Sequence, residues 1–224
     1  YATAWQWYGN IRGLMGGLEE SERLLAKARE HDPLSAVITS NYVDALISSG
    51  KYREAERELA AALNLFPDFP LLYNATAQLA YLKRDWAKMR EAMVKNLELQ
   101  GLDAGILKAW VDMAEAYQKT GQKMPVPPPL LESVQALDFY QSGPDMIYLA
   151  GHKDLAFQEM KALLLLTGPR NLVFYGMWWP TYAAFRHDPA FKDAMREAGF
   201  VEIWRKHGWP DKCQPTANGD IECE

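Results

Sequence analysis

The chain has 224 residues, with 24 Lys and Arg against 29 Asp and Glu for a net charge of −5, and is 49% hydrophobic and 24% charged. That balance belongs to an ordinary globular chain and excludes wholesale disorder or a collagen-like rod. The cations are interleaved with acids, as along Lys51-Tyr52-Arg53-Glu54, and form no basic face for nucleic acid.

The longest uninterrupted apolar run, residues 162–166, is far short of the roughly 20 residues that cross a bilayer, so no transmembrane segment is expected. The opening at Tyr1, without Met or a charged-then-apolar leader, reads as a trimmed or mature segment of a longer protein.

Taken in order, residues 2–35 read as a helical hairpin. Trp5, Tyr8 and Gly9 lie on its first helix, Leu25 and Ala28 on its second, and Pro33 ends it, with Gly13-Leu14-Met15-Gly16-Gly17 as the turn. The layout returns in residues 36–69 with Tyr42, Val43, Leu46, Ala55, Leu59 and Ala62, and ends at Pro67, 34 residues after Pro33. Gly50, in the turn Ser49-Gly50-Lys51-Tyr52, supplies the left-handed cap that other residues resist. Residues 70–101 form a third copy through Tyr73, Ala77, Ala80 and Met93, turning at Lys83-Arg84-Asp85-Trp86. A fourth first helix follows as Trp110, Ala114 and Tyr117, stopped by Gly121 and shifted by a three-residue insertion near Gly101-Leu102-Asp103.

A 34-residue period of helix pairs is the tetratricopeptide one, and these residues resemble that family. The first copy departs from its pattern at Arg12 and Ser21. The resemblance implies an all-α fold, a right-handed α-solenoid of helical hairpins whose first helices line a concave groove.

After Gly121 the run Met124-Pro125-Val126-Pro127-Pro128-Pro129 excludes helix and reads as a stiff extended connector, with the next helix opening at Pro129 or Leu130. Gly151, Ala156, Met160 and Leu163 then repeat the turn and second-helix positions, so residues 130–166 read as a divergent hairpin. From residue 168 the texture turns aromatic: Phe174, Tyr175, Trp178, Trp179, Tyr182, Phe185, Phe191, Phe200, Trp204 and Trp209. Asp188-Pro189 reads as an N-cap followed by Pro at the first helical position, with Phe191, Met195 and Ala198 on one face. A terminal hairpin has no neighbour to cover it, which makes an aromatic cap the expected role of these rings. The expected organisation is therefore repeats over 1–121, connector and divergent hairpin over 122–167, and aromatic cap over 168–224.

Both cysteines, Cys213 and Cys223, stand in the last dozen residues around Asn218-Gly219, a pair suited to a tight reversing turn. A disulfide between them is the expected reading, contributing at most about 3 kcal/mol through so short a loop. Two free thiols are the alternative, and a two-cysteine metal site lacks the histidine pair it needs. The stretch from Phe185-Arg186-His187-Asp188-Pro189-Ala190-Phe191 to Trp209-Pro210-Asp211-Lys212-Cys213 resembles the end of the tetratricopeptide region in CadC-like and ToxR-like membrane-anchored bacterial regulators. That resemblance implies an extracytoplasmic, periplasmic sensory role, with a cytoplasmic location as the alternative.

No phosphate loop, nucleophile elbow or metal-ligand spacing occurs among His31, His152, His187 and His207, so no catalytic residue, metal or cofactor is expected. By the family register the groove is lined by Gln6, Asn10 and Leu14, then Asn41, Asp44 and Ser48, then Asn74, Gln78 and Tyr81, then Asp112 and Glu115. An asparagine amide donates and accepts at once, so it can hold the backbone of an extended peptide. Asn10 and Asn41 fall where chaperone-binding relatives keep two clamp asparagines. Their cationic positions are Gln6, Leu71 and Ala75 here, so a carboxylate-terminated chaperone tail is not the expected ligand. The expected partner is a protein or peptide in the groove, and a homo-oligomer is compatible with this reading. Two alternatives stand beside the sensory one: an envelope assembly scaffold using the same groove, and a small-molecule sensor with a pocket among Trp178, Trp179, Tyr182 and Trp204.

Overall fold

A computed structural model describes residues 1–135, 143–167, 176–217 and 220–224. Within them lie thirteen α-helices, short 3₁₀ stretches and one two-stranded sheet, an all-α architecture. Helices α1 (Ala2–Leu14) and α2 (Leu18–His31), α3 (Ala36–Ser48) and α4 (Tyr52–Leu65), and α5 (Leu71–Leu82) and α6 (Trp86–Leu99) form three hairpins. Each stacks on the next, α2 on α3 and α4 on α5, and α7 (Gly105–Thr120) continues the stack against α6. Small and branched residues at the expected positions make close approach possible: Ala28, Val43, Leu46, Ala55 and Ala62 are all buried.

The turns share one device. Gly16, Gly50, Gly121 and Gly151 take φ of 83°, 78°, 69° and 87°, the left-handed conformation that lets a helix end and the chain reverse. In the third hairpin that position is Arg84, with φ 59°, 34 residues after Gly50. A side chain in this conformation crowds its own carbonyl. Arg84→Gly is expected to stabilise the fold by about 0.5–1 kcal/mol, read as a higher denaturant midpoint at unchanged slope.

Beyond Gly121 the chain departs from the single divergent hairpin read from sequence. Among the described residues the connector is followed by α8 (Pro128–Gln135), α9 (Pro144–Leu149) and α10 (Lys153–Thr167). The first opens one residue earlier than expected, because Pro at the first helical position sacrifices no hydrogen bond. The hairpin itself is α9 and α10, turning at Gly151 against the ring of Tyr117 and burying Ala156, Met160 and Leu163.

The aromatic region contains a 3₁₀ turn (Pro180–Tyr182) and helices α11 (Ala183–Arg186), α12 (Pro189–Glu197) and α13 (Phe200–His207). Asp188 caps α12 by accepting from the Ala190 N–H at 3.1 Å, with Phe191 and Met195 buried and Ala198 partly buried. Strands β1 (Cys213–Pro215) and β2 (Ile221–Cys223) pair antiparallel with Cys213 opposite Cys223, and the two cysteines form a disulfide. Phe174, Tyr175 and the Asn218-Gly219 turn lie outside the described residues.

This region does more than cap the last hairpin: it returns to the first. Trp178 Nε1 donates to Leu14 O at 3.4 Å, and Asp211 N donates to Gly16 O at 2.8 Å. The Asp211 carboxylate accepts from Leu18 N at 2.7 Å and Glu19 N at 3.0 Å, satisfying the open N–H groups that begin α2. Leu14 and Leu18 accordingly belong to the same apolar core as Trp178, Trp204 and Cys213, while the second hairpin and its neighbours form a separate core around Val43, Leu46 and Leu72. Gly16 is where the ends meet. A Cβ there would collide with Pro210 and stand 2.7 Å from Trp178 Cζ2, at a φ that a side chain resists. Gly16→Ala is expected to cost roughly 2–3 kcal/mol, measurable by denaturant titration followed through tryptophan fluorescence.

Candidate binding groove

Counting back six residues from each left-handed turn position gives Asn10, Asp44, Gln78, Glu115 and Asp145. Every hairpin thus places one polar residue at the same point of its first helix, one turn and a half before the chain reverses. The first three stand 34 residues apart, the repeat period itself. The helix starts, Ala2 for α1 and Ala36 for α3, likewise match Asn10 with Asp44, and leave Asn41, the other asparagine at a clamp position, one turn away on the same face. Asp145 was missed altogether, because the six-residue helix carrying it shows no periodicity of its own.

These five rungs have different partners. The Gln78 side chain is buried, and its Oε1 accepts from the backbone N–H of Thr181 at 3.3 Å, so a first-helix amide holds the main chain of the returning segment. Asp145 is buried beside the same residue. Burial pushes its carboxyl up to about 6, held from rising further by the neighbouring Thr181 hydroxyl and by the N–H groups at its helix start. Glu115 forms ion pairs with Arg90 of α6 and with Lys119 at 2.6 Å, and these cations hold its carboxyl below the usual range. Asp112 shares Arg90 and is otherwise exposed. At Asn10 and Asp44 the Oδ1 atoms are enclosed and have no hydrogen-bond partner. Ser48, one turn beyond Asp44, is buried with its Oγ likewise unpartnered. Burial alone lifts the Asp44 carboxyl to about 8.

Of the remaining residues expected to line the groove, Gln6 and Leu14 are buried, while Asn41, Asn74 and Tyr81 are half-buried. The Tyr81 ring stands edge-on to Trp86 with centroids 5.9 Å apart, and burial raises its hydroxyl. Leu14 serves the end-to-end contact through its carbonyl.

The four rings weighed as a small-molecule pocket are engaged in packing. Trp178 and Trp204 are each 1% exposed and Tyr182 is 7% exposed, while Trp179 is half-buried. Trp204 lies between Phe200 and Trp209 at centroid distances of 5.9 and 6.1 Å, and Tyr182 meets Phe185 at 5.7 Å. Behind them the buried guanidinium of Arg186 donates to Met177 O at 2.5 Å, Trp179 O at 3.2 Å and Glu224 O at 2.7 Å, tying the segment before the 3₁₀ turn to the disulfide-linked strands.

Among the described residues no three His, Cys, Asp or Glu side chains converge as metal ligands, and no helix is long and apolar enough to cross a membrane. Residues 15–79 match the family model of the tetratricopeptide repeat, spanning α2 to most of α5. A comparison with curated proteins finds no significant match.

Proposed function

We propose that this chain, whose residues 15–79 carry tetratricopeptide repeats, is a non-catalytic protein-interaction module that holds an extended segment of a partner along the first-helix face, as the sensory domain of a bacterial membrane-anchored regulator. The observation that carries the proposal is the bond from Thr181 N to Gln78 Oε1, in which this face already holds main chain from outside the repeats. A side-chain amide can do so without reading the neighbouring side chains. The sensory part of the reading is supported by the regulator-like stretch around Asp188-Pro189 and Trp209-Pro210-Asp211. The Cys213–Cys223 bond supports an extracytoplasmic location, since disulfides persist in oxidising compartments. In this reading the ligand competes with the returning segment for the ladder. It signals only through its different affinity for the closed and opened arrangements.

Photo-crosslinking tests the interaction in cells producing the full-length protein, with benzoyl-phenylalanine placed at Asn41 or Asn74 on the first-helix face, or at the exposed Arg57 on α4. The expected result is a discrete adduct from positions 41 and 74 and none from 57. Adducts that are equal at all three positions contradict a groove site. In the same cells Cys213 and Cys223 are expected to resist alkylation until a reductant is added, and immediate labelling argues against the periplasmic location.

A further inference from the structure

The ladder is acidic at three of its five rungs, Asp44, Glu115 and Asp145, and these are not in the same state. Glu115 has its cations, Arg90 and Lys119. Asp145 has Thr181 and the backbone at its helix start. Asp44 is only 7% exposed, its Oδ1 is enclosed and unpartnered, and no charged group of the described residues offsets its burial. Two further oxygens are likewise enclosed without a partner, Asn10 Oδ1 at the equivalent position of the preceding first helix and Ser48 Oγ one turn along the helix of Asp44. A carboxyl and an amide oxygen accept hydrogen bonds, and a hydroxyl does so as readily as it donates. A buried polar atom without a partner costs the fold about 1–3 kcal/mol, so a set of them marks a place completed by something else.

From this we infer that the Asp44 rung is a subsite for a cationic side chain, lysine or arginine, of the bound segment, with Asp44 as counter-ion and Asn10 Oδ1 and Ser48 Oγ as further acceptors. The inference rests on the groove reading and names the ligand chemistry it selects. The depth of the carboxyl favours a long side chain, which passes its charged end inward while its stem lies against the neighbouring apolar surface. Two neighbouring rungs then divide the work: Gln78 reads backbone, and Asp44 reads charge.

The test is a phage-displayed library of random dodecapeptides selected on the full chain, followed by affinity measurements on the best binders as synthetic peptides. The expected binders carry Lys or Arg at a common position. Exchanging that residue for norleucine, which keeps the stem and removes the charge, is expected to weaken binding at least tenfold for the native chain and less than twofold for Asp44→Asn. Binders without a common cation, or an equal norleucine penalty in both proteins, overturn the charge subsite while leaving the groove reading in place. A library that yields no binder overturns both.

Discussion

Asp44→Asn is expected to stabilise the protein by about 2–4 kcal/mol at pH 8 and to flatten its stability across the acid-to-neutral range. The native carboxyl is pushed from near 3.8 up to about 8 by burial, so the folded state holds its proton over a range in which the unfolded chain has released it. The Asp44 contribution to stability is therefore fully present below about pH 4, is lost as pH climbs towards 8, and levels beyond. Asp145, pushed up to about 6, adds a smaller loss in the same direction between pH 4 and 6. Asparagine keeps the shape and removes the ionisation. Denaturant titrations of both proteins at pH 4, 6 and 8 check this: the curves should converge at pH 4 and separate by pH 8. A constant difference at all three values would contradict the burial of an ionisable Asp44.

Arg186→Met is expected to cost about 3 kcal/mol or more and to loosen the C-terminal return as a unit. The guanidinium is 2% exposed and donates to three carbonyls, so removing it strands buried acceptors that methionine cannot satisfy. The cost should appear as increased amide exchange at Met177 to Tyr182 and in the disulfide-linked strands, with α3 and α4 unaffected, since their core is a separate cluster. A uniform rise in exchange across the chain would mean that the two clusters unfold together. Burial together with the nearby Arg186 lowers the Lys212 ammonium to about 8, so the same variant should raise it and make Lys212 less reactive towards acylating reagents at pH 8.

The first three hairpins were legible because their information is local. Periodic apolar positions recur in all three copies, a proline ends the first two and a glycine marks their turns at one spacing, and the helices stand where those signals put them. Even the replacement of turn glycine by Arg84 left enough of the pattern to place α5 and α6. The return of the C-terminal region was not legible. Contacts such as Asp211 to Leu18, separated by 193 residues, leave no periodic trace, and an N-terminal helix cap is ordinarily supplied by the preceding residue rather than by a distant strand lead. The aromatic residues announced a packed cap but not which faces it would cover. The groove was half legible. Its residues were named individually, yet Asp112 and Glu115 proved to be engaged with Arg90. Asp145, on a short helix after a long insertion, joins the ladder through the φ of Gly151 and not through sequence spacing.

The most direct measurement is amide hydrogen exchange at Thr181 in the native chain and in Gln78→Ala. If the first-helix face holds the returning main chain through its ladder, the Thr181 N–H is protected in the native chain and exchanges at least tenfold faster in Gln78→Ala, while the amide of Leu46 in the second hairpin is unchanged. A Thr181 amide that exchanges freely in the native protein, or one indifferent to the loss of Gln78, would contradict it.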